Sequence, residues 1–386
     1  MKAITNRQHY IDWLRVIATI SIFLYHNSRA YDYGDWHIKN ATTTLGATQF
    51  VEFMNMWMMP LFFVLSGASV YFSLKSRKAG SFLKERFFRI MIPWLLTGIF
   101  LMGPPQVYLE RLSHGEFSGN FLQFIPHYFD GFYAFGGNFA WMGVHLWYLM
   151  LLSFFSVILL PLFMSRAGTG TSLAQSIAAK LGKPWVLSLL WVPVAVMALL
   201  SMAVGLGITE QMGSWDILSY AMFFILGYIL FASTGLQNAI RKQGGWFLLA
   251  AVVFSALHLV LKFSVRPSFY EDIDIRLFAT WGWIIGLFWL GGRFLNFTNR
   301  FLTHVNEMVL PFYVLHQTVI VVVAYFVVQT GLAIPLKYSI TVVISLAVIV
   351  ALYELIVRRV GVLRFLFGMR KKKAAAESRR HVAQAT

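Results

Sequence analysis

Cysteine is absent from the 386 residues, and charge is scarce. Without cysteine there is no disulfide framework, no thiolate nucleophile and no thiolate-held zinc or iron–sulfur centre. No acyl group can be parked on an enzyme thiol. Charged residues make up 12% of the chain, about half the ~25% of a soluble domain. That shortage argues against a soluble globular enzyme, and against disorder outside the C-terminal tail. What fills the chain instead is apolar: 58% hydrophobic residues and 17% aromatics, with a mean hydropathy of +0.65. Aromatics concentrate at membrane–water interfaces. The class expected is an all-α, polytopic transmembrane helix bundle embedded in a lipid bilayer.

Apolar runs of roughly spanning length fall at about 10–27, 50–74, 90–109, 144–164, 186–208, 215–233, 246–262, 275–292, 308–330 and 339–357. About ten spans are therefore expected. The first run contains Asp12 and Arg15 and lacks a small-residue cleavage site, so it reads as an uncleaved first helix. With the N-terminus inside, 24 Lys and Arg residues fall in cytoplasmic segments and 7 in outer loops or at outer span ends. That asymmetry predicts both termini in the cytoplasm. Residues 1–360 read as one transmembrane domain, and 361–386 as a basic, disordered cytoplasmic tail. The tail run Arg370-Lys371-Lys372-Lys373 suits anionic lipid. The net charge of +16 could suggest nucleic acid, but no aromatic-interleaved basic motif supports such a partner.

An ionisable residue inside a span is costly and calls for a reason. The first span holds Asp12, Arg15 and His26. Eleven residues separate Arg15 from His26, about three turns and about 16 Å of rise, so both face one side. Asp12, Arg15, Thr19, Ile22 and His26 follow a 3-4-3-4 spacing. That stripe must face protein or a water-filled cavity. Asp12 and Arg15 fit an i,i+3 ion pair, which is compatible with a functional Arg15. From spacing alone His26 reads equally as an interface residue at a helix end.

Five blocks stand in order along the chain. They are Leu61-Phe62-Phe63-Val64-Leu65-Ser66-Gly67, Arg86-Phe87-Phe88-Arg89, His145-Leu146-Trp147-Tyr148-Leu149 and Pro311-Phe312-Tyr313-Val314-Leu315-His316-Gln317, with Tyr10 to Arg15 plus His26 ahead of them. Taken together they resemble the signature blocks of the acyltransferase-3 family. Its members are integral membrane acyltransferases that modify surface or periplasmic glycans. The early segment with Trp36-His37, and the length, are most similar to a succinyl-transferring branch of that family.

The resemblance implies an acyl-CoA donor on the cytoplasmic side and a glycan acceptor outside, with no permanently bound cofactor. It implies a catalytic set of His26, Arg15 and Asp12. An imidazole near its ordinary pKa of about 6.5 suits removal of a hydroxyl proton; an acyl-His intermediate is a second possibility. Arg15 could hold Asp12 or orient the donor. Arg86 and Arg89, three apart, would take the phosphates of CoA, since guanidinium forks suit phosphate. They read otherwise as positive-inside anchors. His145 and His316 are substrate-site candidates by the same resemblance. Ser66 beside Gly67 reads as a close-packing point rather than a nucleophile.

Two outer loops mix aromatics with titratable groups. Loop 28–49 carries Tyr31, Asp32, Tyr33, Asp35, Trp36 and His37, and Trp36 and His37 are the acceptor-binding candidates. Loop 110–143 carries His114, His127, Tyr128, Asp130, Tyr133 and Trp141. Its histidines lack metal-ligand spacing, so no metal is expected. The reading favoured is a membrane O-acyltransferase of the bacterial cytoplasmic (inner) membrane. It moves an acetyl or succinyl group from acyl-CoA to a glycan hydroxyl, with His26 as general base. The competing reading is a polytopic transporter or exporter of a glycan or lipid-linked solute. Neither the acyl group nor the acceptor is named by the sequence.

Overall fold

The computed structural model describes residues 8–131, 139–165, 170–205, 212–264 and 275–370. Tyr133 and the tail residues 371–386 lie outside the described residues. Among those described the chain is helical throughout, with no strand beyond one isolated bridge between Ser165 and Ser172. The main helices are α1 (His9–Ser28), α2 (Leu45–Leu74), α3 (Ala79–Ser113), α4 (Val144–Ile158), α5 (Leu173–Lys180), α6 (Pro184–Ala203), α7 (Ile217–Ala232), α8 (Thr234–Ser264), α9 (Arg276–Phe294), α10 (Arg300–Val327), α11 (Ile334–Val357) and α12 (Gly361–Leu366).

Each apolar run found in the sequence falls on one of these helices. Six of them, α2, α3, α6, α8, α10 and α11, are long and apolar enough to cross a membrane. The apolar helices at Val144–Ile158 and Ile217–Ala232 are shorter. α1 and α9 have 20 and 19 residues, but Asp12 and Arg15 in one and Arg276 and Arg293 in the other lower their hydropathy. Length and composition thus support six crossings directly.

Local sequence explains several boundaries. Asp216 caps α7 by accepting the Ser219 N–H at 2.8 Å, and Ser172 with Gln175 forms a capping box at the start of α5. Pro184 and Pro335 sit in the first turns of α6 and α11, where the missing N–H costs nothing. Pro60 and Pro311 lie inside α2 and α10, each removing one ladder hydrogen bond. α3 is wide-turned (π-helical) over Phe87–Met91 and Pro93–Met102, a geometry often found at functional positions.

The helices group into two compact units that interleave along the chain, where the sequence reading has one domain over 1–360. The first comprises 1–25, 48–82 and 155–306; the second comprises 26–47, 83–154 and 307–386. The first unit depends on backbone-to-backbone approach. A Cβ at Gly67 on α2 would fall on the Phe224 carbonyl of α7, and one at Gly227 would fall on the Val64 carbonyl in return. This reciprocal contact explains the glycine of the Ser66-Gly67 pair. Gly282 and Gly286 on α9 meet the α8 backbone at Ala251 and Leu248 in the same way.

In the second unit, side chains tie helix to backbone. Trp94 Nε1 donates to Met142 O at 2.9 Å, Tyr128 Oη to Ile99 O at 2.7 Å and Thr97 Oγ1 to Leu366 O at 2.6 Å. Residues 361–370, at the head of the expected tail, are described: α12 is a short helix whose Arg364 is buried, 3.7 Å from Glu307.

Gly67→Val should destabilise the first unit by about 1–3 kcal/mol or more, because the new side chain meets backbone that cannot move aside. The check is the thermal unfolding midpoint in detergent, with Gly46→Val, where the added Cβ meets nothing within 4 Å, as the neutral control.

Candidate active site

The second unit gathers four histidines. His26 ends α1, His37 stands in the loop before α2, His145 opens α4 and His316 lies in mid-α10. The His26 and His316 ring centroids are 5.1 Å apart, and those of His145 and His316 are 5.0 Å apart at right angles. Trp36 stacks on His26 at 6.2 Å and meets His37 edge-on at 5.5 Å. His316 is fully buried and His145 nearly so, whereas His26, Trp36 and His37 are only partly buried.

Three of the rings have their nitrogens assigned by their partners. His316 Nδ1 lies 2.6 Å from the Tyr313 carbonyl, so it carries the proton and donates. His145 Nε2 lies 3.2 Å from Tyr313 O and 3.1 Å from Val314 O, so it too is the protonated nitrogen. Its Nδ1 faces Gln106 Nε2 at 3.3 Å. The two hydrogens of that amide are shared between this nitrogen, Met102 O at 2.9 Å and Thr318 Oγ1 at 2.7 Å. His37 Nδ1 donates to Glu110 Oε2 at 2.5 Å, and its Nε2 accepts from Gln317 Nε2 at 2.8 Å. The Tyr313 hydroxyl returns to α4, donating to His145 O at 2.7 Å.

Backbone strain marks the same place. Val144, next to His145, has a φ of 52°. A β-branched residue in the left-handed region is an outlier, costing about 1–3 kcal/mol, and such residues cluster at functional sites. Gly143 before it, at φ 74°, takes the same region without penalty.

The loop carrying Trp36 and His37 is fixed from within. Buried Asp32 receives Arg29 Nη1 at 2.7 Å on one oxygen and Lys39 Nζ at 2.7 Å on the other. Burial pushes the Asp32 carboxyl up from its usual value while Arg29 and Lys39 pull it back. Buried Lys337 anchors the loop's end, donating to Asn40 Oδ1 at 2.8 Å. Ile38 packs with Leu109, Val321 and Ala324.

The other expected site residues stand elsewhere. Asp12 and Arg15 belong to the first unit, where the expected ion pair forms at 2.7 Å and Arg15 Nη2 also donates to Ser69 Oγ at 2.7 Å. Arg86 and Arg89 lie on α3 in the second unit. Arg89 is held by Glu85 Oε1 at 3.1 Å and by the Gly368 carbonyl at 3.2 Å, so it fastens the chain after α12. Arg86 is partly buried.

The sequence reading did not single out Glu110, Gln106 or Thr318, each a lone polar residue in or beside an apolar run. Nor did it see a charged cluster in the first unit: Glu52 takes His258 Nε2 at 2.8 Å and Lys262 Nζ at 2.6 Å, one on each oxygen. The signal was the i,i+4 pair His258 and Lys262 on α8, which needed a carboxylate from another helix. Among the described residues no group of three His, Asp or Glu side chains is placed to hold a metal ion.

Comparison with known proteins follows the same outline. The acyltransferase domain family, of the acyltransferase-3 type, matches residues 8–354. The chain is 25% identical over 372 residues to a glucans biosynthesis protein C of Salmonella heidelberg, covering 94% of each chain. The Salmonella typhi protein of that name is also 25% identical with the same coverage, and that of Salmonella paratyphi A is 24% identical over 375 residues. No solved structure matches the chain.

Replacing Asp32 by Ala strands two cations around a buried site, and breaking such a pair costs about 3–5 kcal/mol. Trypsin should then cleave after Arg29 and Lys39 at least severalfold faster than in the parent protein, read by mass spectrometry. Equal cleavage rates would show the loop is held by other means.

Proposed function

The chain belongs to the acyltransferase-3 family, and on that premise we propose that it moves an acyl group from cytoplasmic acyl-CoA to a hydroxyl of an extracytoplasmic glycan. The observation that carries the reading is the second unit's histidine cluster. It has one partly exposed imidazole, His26, against a tryptophan face, with buried imidazoles behind it whose tautomers are fixed. Trp36 offers an apolar plane for a sugar ring, and His37 beside it offers hydrogen bonds. The names of the relatives point to a glucan as the acceptor class, and acetyl or succinyl is the group carried.

His26 acts as general base. It takes the hydroxyl proton as the oxygen attacks the thioester carbonyl, then returns it to the departing sulfur. His145 and His316 support the acceptor side of the site. Arg86 and Arg89 take the CoA phosphates, and Arg89 also holds Glu85 and Gly368. Asp12 and Arg15 form a neutralised pair on the same first helix. Arg15 either holds Asp12 or also orients the donor. The topology that goes with this chemistry has ten spans, both termini in the cytoplasm and residence in the bacterial inner membrane.

Proteoliposomes supplied with radiolabelled acetyl- or succinyl-CoA on one face and glucan on the other test the reading. Wild type should acylate the glucan, and His26→Ala should lose about 10²–10⁴-fold in rate. Full transfer by His26→Ala, or solute flux with no acyl transfer to any glycan, would overturn it and favour a transporter. Arg86→Ala should raise KM for acyl-CoA about 10-fold or more, as expected for losing a charged hydrogen bond of about 1.5–3 kcal/mol. Its kcat should stay near that of wild type.

A further inference from the structure

His316 differs from His145 and His37 in one respect. His145 and His37 each have both ring nitrogens engaged, one donating and one accepting. His316 donates through Nδ1 to Tyr313 O at 2.6 Å, which leaves the lone pair on Nε2. That Nε2 is buried and has no hydrogen-bond partner. An acceptor left so costs about 1–3 kcal/mol, a cost worth keeping only if something donates to it during function. The ring whose centroid lies 5.1 Å away is His26, a partly buried residue where His316 is fully buried.

We propose that His316 is a positioning residue that acts through His26, its Nε2 receiving the His26 N–H while His26 works as the base. The inference rests on the acyl-transfer reading above. In the step, the hydroxyl O–H breaks as its oxygen forms the C–O bond to the thioester carbonyl carbon. The proton goes to one nitrogen of His26, and the N–H on the other is held by His316 Nε2. The C–S bond then breaks, and the proton passes from His26 to sulfur, releasing the CoA thiol and the glycan ester. No electron changes hands, and no reactant beyond hydroxyl and acyl-CoA is needed. The charged N–H···N bond gives the His26 imidazolium a partner, the part a carboxylate plays in a serine-type triad. Catalytic hydrogen bonds commonly tighten only once substrate is in place.

Other groups face the pair. From α4 comes His145, with its lone pair already taken. From the loop come Trp36, His37 and Arg29, and Arg29 is paired with Asp32. From α10 come Phe312, stacked on His316 at 6.4 Å, and Tyr313. Glu110 on α3 reaches the cluster through His37.

The test is acyl transfer by purified wild type, His316→Gln and His316→Phe, each monodisperse in detergent, followed from about pH 5 to 9 where imidazoles titrate. The pair takes up one proton in this range, so the acidic limb of the wild-type kcat/KM profile has a slope of one and its midpoint reads the His26 imidazolium. His316→Phe should lose about 10²-fold in kcat, keep its KM for acyl-CoA and move that midpoint down by about one pH unit or more, since the imidazolium loses its acceptor. His316→Gln keeps a side-chain acceptor and should recover part of both changes. A Phe variant within twofold of wild type overturns the inference. So does a slowed variant whose midpoint stays at the wild-type value, which marks a structural role only. If the Phe variant does not fold, the Gln variant decides by the same midpoint. A wild type inert towards every acyl-CoA and glycan instead refutes the acyl-transfer reading itself.

Discussion

The Tyr313 carbonyl oxygen receives two imidazole N–H groups, from His316 Nδ1 and from His145 Nε2. Among apolar helices a ring nitrogen that faces a carbonyl or an amide resolves as donor or acceptor against that partner. This one oxygen settles the question for two rings at once. The choice then spreads outward: His145 Nδ1 becomes an acceptor, Gln106 turns its amide nitrogen towards it, and Thr318 and Met102 hold that amide. The site is therefore ordered by backbone carbonyls and amides more than by charge.

The fold was legible in the sequence at the level of elements. Apolar runs became helices because the chain offers little else: few turn-forming clusters, few charges and long apolar stretches. Which runs cross a membrane was less legible, since α1 and α9 carry charges that lower their hydropathy while remaining helical. The two-unit division was illegible for a topological reason. Each unit is assembled from three separated segments, and the change from one to the other falls inside α1 between Tyr25 and His26. No composition shift marks a boundary placed in mid-helix.

The site was half legible. His26, Trp36, His37, His145 and His316 could be named because histidine and tryptophan stand out in apolar blocks and the blocks resemble a known family. Their convergence could not be derived, because it depends on helices far apart in the chain. The helical stripe of α1 was read correctly as geometry, yet Arg15 and His26 fall in different units. Same-face arithmetic on one helix says nothing about which neighbours each residue meets. Glu110, Gln106 and Gln317 were missed as partners because a single polar residue in or beside an apolar run has no pattern of its own.

The few carboxylates are mostly placed beside fixed cations: Asp12 by Arg15, Asp32 by Arg29 and Lys39, Glu85 by Arg89, Glu354 by Arg358. His145 and His316 are treated differently, meeting carbonyls and an amide instead. A carboxylate beside either ring would favour the imidazolium and occupy the nitrogen that a hydroxyl or a second imidazole must reach. A carbonyl fixes the tautomer through its dipole and brings no full charge. His37, nearer the outer loop, does carry a carboxylate partner in Glu110, and both of its nitrogens are committed. The arrangement thus separates a histidine that anchors the loop through a carboxylate from histidines whose tautomers are set by neutral groups, which leaves the ring beside His26 free of any fixed anion.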